Sequence, residues 1–545
     1  MNSKKFFSIE QNTPLTLVEG TTYQINGINL ESPFILTEQQ RKALECIIND
    51  FIHTDREDVY TFTLKGYAGT GKTSVINMVE QYVKQIGASI VFTATTHRAV
   101  EVMRGTSIAS NVFTIHGFMK LKLHIDIRDY NVDKAKLRNR NRELSHVDFV
   151  VIDEASMIDI ILYAKIIDIL VDKFKMKVIF MGDPAQLKPI SSTGISFALR
   201  KSDLQCELTT IKRTSSVAIQ SLLTGVRQGK RFSLEPSQQH CFTSNKEEFM
   251  KYSLEKFSHL REDILSYRIL CGTNEEAESC NDYFHKALFP NEPDENEYHV
   301  GELIMTYKNG NDDNGTQGFH NAMDGFILCI ENAEFTIGDS GSGCQETYSG
   351  YNLTILVGSL FPQSYDSLLG NATEVKIPVI SKNNNWTSFG KYLDYLYDNK
   401  KQKDYENLMN NYYFPHEFNN NKGDTVIPKG IHYGYAMTVH KSQGGTYSNT
   451  GIIIDSFKSF EKDVDNYNQL LYVAFSRCKD SFVGLITGAA DTIAFVSPHV
   501  GLNQTVDNNA ELVLMPLTSS DNADGEEILQ PTYEFEEAEL VAAEV

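Results

Sequence analysis

An apolar run, VYTFTLKG (59–66), leads into GYAGTGKT (66–73), and a helix-like segment, TSVINMVEQYVKQIG (73–87), follows at once. No other stretch limits the fold so strongly. The spacing G-x-x-x-x-G-K-[ST] serves a phosphate only when a strand delivers the loop and a helix N-terminus receives it. Units of that kind belong to parallel sheets covered on both faces by helices. The glycines let backbone N–H groups curl around phosphates, so Gly66, Ala68, Gly69, Thr70, Gly71, Lys72, Thr73 and Ser74 form the expected cradle. Lys72 is expected to reach the β- and γ-phosphates, and Thr73 to ligate Mg²⁺. The implied ligand is a nucleoside triphosphate.

Two more strand ends carry matching chemistry. VVIDEAS (150–156) closes an apolar strand on two carboxylates, with Asp153 suited to hold Mg²⁺ and Glu154 to orient and deprotonate a water. MGDPAQLKPI (181–190) sets the Gln186 amide where it can sense a γ-phosphate. TATTHRAVEVM (93–103) and FTIHGFM (113–119) each put a Thr and a His at a strand end or helix start, where they suit phosphate contacts on a nucleic acid. IKRTS (211–215) and LYVAFSRCKD (471–480) offer Arg213 and Arg477, and an arginine supplied across a cleft stabilises transition-state charge. Taken singly, each is more readily a surface arginine or a satisfied core histidine. Taken in one order along one chain, the bland reading fails.

At 545 residues the chain exceeds a single core, so three or more domains are expected. The strand–helix alternation of the first half recurs at YRILCGTN (267–274), GIIIDS (451–456) and SFVGLIT (481–487), which predicts a second α/β unit whose halves lie apart in sequence. The intervening region is rich in Asn, Gly, Asp and Tyr with short β-like runs, and reads as an inserted, mostly β module. No apolar run is long enough to span a bilayer, and MNSKKFFSIEQN is not followed by a signal-peptide core. Eight scattered cysteines without a C-x-x-C pair are expected as reduced thiols, consistent with a cytoplasmic protein. A net charge of −21 argues against a nucleic-acid partner, yet nine of the acidic residues fall in the last stretch, SSDNADGEEILQPTYEFEEAELVAAEV, whereas 120–142 is locally basic.

LTEQQ (36–40), GYAGTGKT, TATTHRAV, TIHGFM, VVIDEAS, MGDPAQLKPI, IKRTS, YAMTVHKSQGGT (435–446) and LYVAFSRCK resemble the successive motifs of superfamily 1 helicases, closest to the RecD/Dda branch, superfamily 1B. The resemblance covers residues ~36–215 and ~265–490. It implies two RecA-like parallel-sheet motor domains with ATP and Mg²⁺ between them and single-stranded DNA across their tops, moved 5′→3′. By that resemblance Gln40 reads the adenine, and Gln186, Arg213 and Arg477 contact the γ-phosphate. Thr95, His97, Thr114 and His116 touch DNA from the first motor domain; Thr438, His440 and Ser442 do so from the second, with Gln443 and Gly444 linking toward the nucleotide. Relatives of the RecD type often carry an acidic residue where this chain has Thr446.

The implied order is an N-terminal extension (1–35), a first motor domain (36–215) holding a small pin domain at 119–146, and a second motor domain (216–300 and 426–500). An SH3-like, β-rich insertion (301–425) interrupts the latter, and an acidic, disordered tail (501–545) ends the chain. His124, Ile125 and Tyr130 are candidate duplex wedges. Tyr533 and Phe535 among the tail's acids suit docking on a single-strand-binding protein or on the chain's own DNA channel, against the plainer reading of a solubilising tail. The expected activity is an ATP-dependent DNA helicase working as a monomer on single strands and fork junctions. The alternatives are a translocase that strips proteins from single strands, or the motor subunit of a nuclease complex. The Asn-rich composition suits an AT-rich, phage-like genome acting in a bacterial host.

Overall fold

The computed structural model describes residues 13–106, 112–124, 136–139, 147–189, 194–211, 217–230, 236–237, 239–260, 266–290, 296–311, 317–357, 373–419, 425–460 and 462–487. Three large sheets organise them. The first is wholly parallel, with strands in the order Leu204–Leu208, Thr61–Gly66, Lys177–Gly182, Phe149–Asp153, Ile90–Ala94, Val112–Thr114. Residues 61–64 and 149–152 are buried without alternation, as strands covered on both faces must be. Helix Lys72–Gln85 lays Val75, Ile76, Val79, Tyr82 and Val83 on the sheet at helical spacing.

A three-stranded antiparallel sheet, Thr16–Glu19, Thr22–Ile25 and Ile28–Glu31, packs beside this unit. Its Tyr23, Ile25 and Leu30 join the core that holds Leu44, Ile47, Val79 and Tyr82. The Tyr23 hydroxyl accepts the Leu36 N–H at 2.8 Å, which fixes the chain just before helix Glu38–Glu45. That helix starts on a reciprocal cap. Thr37 Oγ1 accepts the Gln40 N–H, and Gln40 Oε1 accepts the Thr37 N–H.

The second sheet is also parallel, ordered His240–Thr243, Cys478–Leu485, Tyr447–Ile453, Tyr267–Cys271, Ala436–Thr438. Segments from either side of the insertion thus interleave in one sheet. The third sheet is antiparallel: Thr373–Ile380, Glu346–Val357, Asp324–Ile337, Leu303–Thr306, Ile431–Tyr433. Its last strand lies beyond residue 425, and the chain then crosses through Gly434 and Tyr435 to the parallel sheet. The insertion also holds two helices, Thr387–Asp398 and Gln402–Asn411, where a mostly β module was expected. Phe389, Leu393 and Leu396 recur at helical spacing and pack with Tyr405 and Leu408 against Ile337, Tyr348 and Ile380, so burial of that stripe favours helix there.

The two parallel units meet along a seam. Leu187, from the first, is buried in the core of the second beside Leu222 and Tyr472. Deeper in the seam, Asp324 Oδ2 accepts from Arg98 Nη2 (2.8 Å) on helix His97–Thr106 and forms an ion pair with Arg268 Nη2 (2.9 Å) on strand Tyr267–Cys271. Both guanidinium groups also lie over the Tyr447 ring, at 5.4 and 5.5 Å. All three charged side chains are buried. Desolvation offsets much of such an attraction, but removing one partner strands the others. Asp324→Ala is therefore expected to destabilise the protein by about 3–5 kcal/mol, seen as a lower urea midpoint. An unchanged midpoint would mean that the two arginines need no counter-charge.

Candidate nucleotide site between the two parallel sheets

Strands Thr61–Gly66, Lys177–Gly182 and Phe149–Asp153 are neighbours, so the phosphate loop, the Gln186 loop and the paired carboxylates leave the sheet side by side. A parallel sheet presents this carboxyl edge as its natural ligand crevice. Here the second unit roofs it. The result is a cavity of about 570 Å³ walled by Ala68, Gly69, Thr70, Gly71, Lys72, Thr73, Ser74, Asp153, Glu154 and Gln186 from one side and Gly444, Gly445, Thr446 and Arg477 from the other.

Gly71 caps helix Lys72–Gln85 with a left-handed backbone, φ 83°, and a Cβ there would overlap Gln40 Nε2. Gln40 itself is buried behind the loop and donates from Nε2 to Thr70 O at 2.9 Å. It therefore braces the loop from behind. Lys72 Nζ donates to Gly66 O (2.5 Å) and Tyr67 O (3.2 Å), which holds its charge over the loop's mouth. Gly66 ends its strand against Leu208, below the loop.

Glu154 sits in a left-handed conformation, φ 52°, directly after the strand, and donates its N–H to Asp153 Oδ1 at 2.8 Å. Burial, and then the neighbouring Asp153 charge, push the Glu154 carboxyl up to about 7, against the pull of Arg477 and Lys72. A raised carboxyl in a cleft is a recurrent mark of a reactive site. Arg477, 3% exposed, is held by three hydrogen bonds, to Val473 O, Gly445 O and Ser476 Oγ. The Gln186 side chain is buried at the cavity wall, and its Oε1 has no hydrogen-bond partner. A buried orphan of that kind is costly unless something in the cavity satisfies it. With the hard oxygen donors of Thr73 and Asp153 on the same wall, the residues present fit a nucleotide with Mg²⁺.

Sequence reasoning missed four residues here. Phe34 and Ile35, both exposed, form an apolar part of the wall; the run SPFI just before LTEQQ was the available signal. Asp183 and Tyr472 are buried at the seam, the former inside the MGDP motif already singled out.

The residues expected at DNA stand at strand ends, a helix start and turns of the two units. Thr95 Oγ1 donates to Glu154 O at 3.3 Å, which ties the end of strand Ile90–Ala94 to the carboxylate pair. His97 opens helix His97–Thr106 and stacks on His320 of the insertion at 4.6 Å. Burial, and then His320, push it down to about 4, while burial also lowers His116 and His440. These imidazoles are neutral donors at pH 7, suited to hydrogen bonding rather than to ion pairing. Thr114 caps the short helix Ile115–Phe118 by accepting the Gly117 N–H. Thr438 ends its strand and accepts the Lys441 N–H at 3.4 Å. Ser442 is fully buried and donates to Val439 O at 2.8 Å, so its hydroxyl shapes the turn. Gln443 is buried beside it. Arg213, Ile125 and Tyr130 lie outside the described residues, as do the His124 side chain and the acidic tail.

Gly444, φ 79°, brings that turn against the first unit. A Cβ there would stand 3.0 Å from Ala99 N. Left-handed strain costs a non-glycine residue roughly 1–2 kcal/mol, and opening the cleft relieves the contact. Gly444→Ala is thus expected to weaken binding of a fluorescent ADP by about tenfold with the fold intact by circular dichroism. Unchanged affinity would separate the turn from the nucleotide.

Residues 36–243 match a family profile described as an AAA domain, and residues 433–483 one described as a UvrD-like helicase C-terminal domain. The ATP-dependent DNA helicase dda of Enterobacteria phage T4 is 27% identical over 283 residues, which is 50% of this chain and 60% of that protein. The RecBCD enzyme subunit RecD of Buchnera aphidicola is 47% identical over 57 residues, 10% of this chain and 9% of that one. This chain therefore spans less than two thirds of the length of either relative. Among solved structures, the Pif1 helicase from Bacteroides in complex with ADP-AlF3 and ssDNA is 17% identical, covers 85% of this chain and 94% of its own, and superposes with a TM-score of 0.45. Nine motifs in order, the two profiles and the phage T4 relative make the chain similar to the superfamily 1B helicases, the RecD- and Dda-like members among them.

Proposed function

We propose that the chain is an ATP-driven DNA helicase that moves 5′→3′ along a single strand and opens the duplex ahead of it. The observation that carries this reading is the two-sided cavity. One wall holds the phosphate loop, the carboxylate pair and Gln186, and the other brings Arg477 and the turn after Thr438. A site that is complete only when two units meet couples hydrolysis to their separation, which is what a motor needs.

In this reading the two parallel units are RecA-like motor domains, the antiparallel insertion acts as an SH3-like clamp on the strand, and 119–146 serves as the pin that carries the wedge. Lys72 and the loop N–H groups bind the β- and γ-phosphates, Phe34 and Ile35 shelter the base, and Gln40 recognises its edge. Thr73 and Asp153 hold Mg²⁺, which when bound offsets phosphate charge. Glu154 accepts the proton of the attacking water. Gln186, Arg213 and Arg477 meet the charge that develops on the transferred phosphoryl group. Thr95, His97, Thr114 and His116 on one side, with Thr438 and His440 on the other, hold the backbone of a single strand, whereas Ser442, expected there too, is fully buried and shapes the turn instead. Because Thr95 and Glu154 share a hydrogen bond, a shift of the strand is felt at the water. The protein works as a monomer at fork junctions in a bacterial cytoplasm.

The test is strand displacement with ATP and Mg²⁺ on duplexes bearing a 5′ or a 3′ single-stranded tail, with Lys72→Ala as the control. Opening of the 5′-tailed duplex alone, abolished in Lys72→Ala, is the expected outcome. Opening of only the 3′-tailed duplex would overturn the direction. DNA-stimulated hydrolysis without opening of either would replace the helicase by a protein-displacing translocase.

A further inference from the structure

Helix Val464–Ser476 of the second parallel unit carries Tyr472, which is 1% exposed, yet its hydroxyl does not serve that unit. It crosses the seam. It donates to Asp183 Oδ2 at 2.7 Å and accepts the N–H of Ala68, in the phosphate loop, at 3.0 Å. Asp183 follows strand Lys177–Gly182 at the head of the Gln186 loop, is fully buried, and accepts the Ala185 N–H on its other oxygen at 2.9 Å. One hydroxyl from the far side thus bridges the two nucleotide-facing loops of the near side. Both of its main hydrogen-bonding capacities are used, and neither is spent within its own unit.

A second contact reinforces the first. The Arg227 guanidinium, on helix Val217–Arg227 of the same far unit, lies 3.6 Å from the centre of the Tyr67 ring, and Tyr67 immediately precedes Ala68 in the loop. Residues 67 and 68 are therefore gripped from across the seam by a cation over a ring and by a hydroxyl on an amide. Burial, and then the Asp183 charge, hold the Tyr472 phenol well above its ordinary range, so it stays a donor at any working pH.

We propose that Tyr472 is a positioning residue for ATP hydrolysis: seated across the seam, its hydroxyl sets the phosphate loop and the Gln186 loop in register with each other. When the second unit withdraws, Ala68 and Asp183 lose that hydroxyl in one event. The mutual placement of the loop that holds the phosphates and the loop that carries Gln186 then relaxes. Because the bridge needs both units in contact, it lets nucleic acid held between the units govern turnover rather than nucleotide affinity. This rests on the reading of the chain as a DNA-stimulated ATPase and adds to it a specific sensor of closure.

The experiment compares steady-state ATP hydrolysis by the full chain and by Tyr472→Phe, with and without a saturating oligo(dT). Loss of a buried hydrogen bond to a charged group is expected to lower kcat in the presence of DNA by roughly tenfold to a hundredfold. KM for ATP should stay within about threefold, because the interaction gained on closure is not gained on binding. Stimulation by DNA should shrink accordingly, with the thermal unfolding profile retained. Asp183→Asn and the double variant complete a cycle, and losses that fail to add are expected of groups acting through one bridge. A rise in KM with kcat unchanged, or strictly additive losses, would overturn the proposal while leaving the ATPase reading intact. A parent chain that hydrolyses no ATP with DNA present would overturn both.

Discussion

Parallel pairing of Thr61–Gly66 with Lys177–Gly182, and of that strand with Phe149–Asp153, sends three carboxyl ends to one edge of one sheet. Adjacent strands lie about 4.8 Å apart, so groups more than a hundred residues apart in sequence leave the sheet within a few ångströms of one another. The phosphate loop, the carboxylates and Gln186 are neighbours for that reason alone. The same arrangement leaves their polar tips facing outward, with the buried apolar stretches of the strands behind them. An edge of this kind can bind phosphate but cannot enclose it.

Enclosure comes from the second unit, and the seam between the two shows how polar chemistry is kept there. Arg98 and Arg268 converge on Asp324 under the Tyr447 ring, Gly444 lets a turn approach Ala99, and Tyr472 reaches Ala68 and Asp183. These contacts are directional, so they hold in one relative placement of the units and weaken sharply in others. Apolar packing joins them, with Leu187 seated among Leu222, Tyr472 and their neighbours and Ala68 and Ala185 packed against that core. A seam whose polar contacts hold in one placement suits parts that separate and return.

Much of this was legible beforehand, and the reasons differ by element. The phosphate loop declared itself because its glycines and its lysine serve a local backbone shape. The strands around it declared themselves by unbroken apolar runs. The two helices at 387–398 and 402–411 were obscured by Asn and Tyr, although Phe389, Tyr392, Leu393 and Leu396 stand at a clear helical period. Strand Ile431–Tyr433 was assigned across the wrong boundary because three residues carry no period that distinguishes one sheet from another. The N-terminal strands escaped notice for a similar reason. They are short and half exposed, and only Tyr23, Ile25 and Leu30 register their burial.

By itself the sequence determined the chemistry of each strand end: which residues can hold phosphate, which can hold a metal ion and which can take a proton. Those properties follow from residue type and from spacings of a few positions along the backbone. Tertiary structure alone decided the partners. Nothing in LYVAFSRCKD marks Tyr472 as a ligand of the phosphate loop, nor does DGFILCIEN mark Asp324 as the counter-charge for two arginines from different units. Such pairings depend on which faces of two separately folded units meet. That is set by the sum of packing across the whole seam, and no local stretch of the chain encodes it.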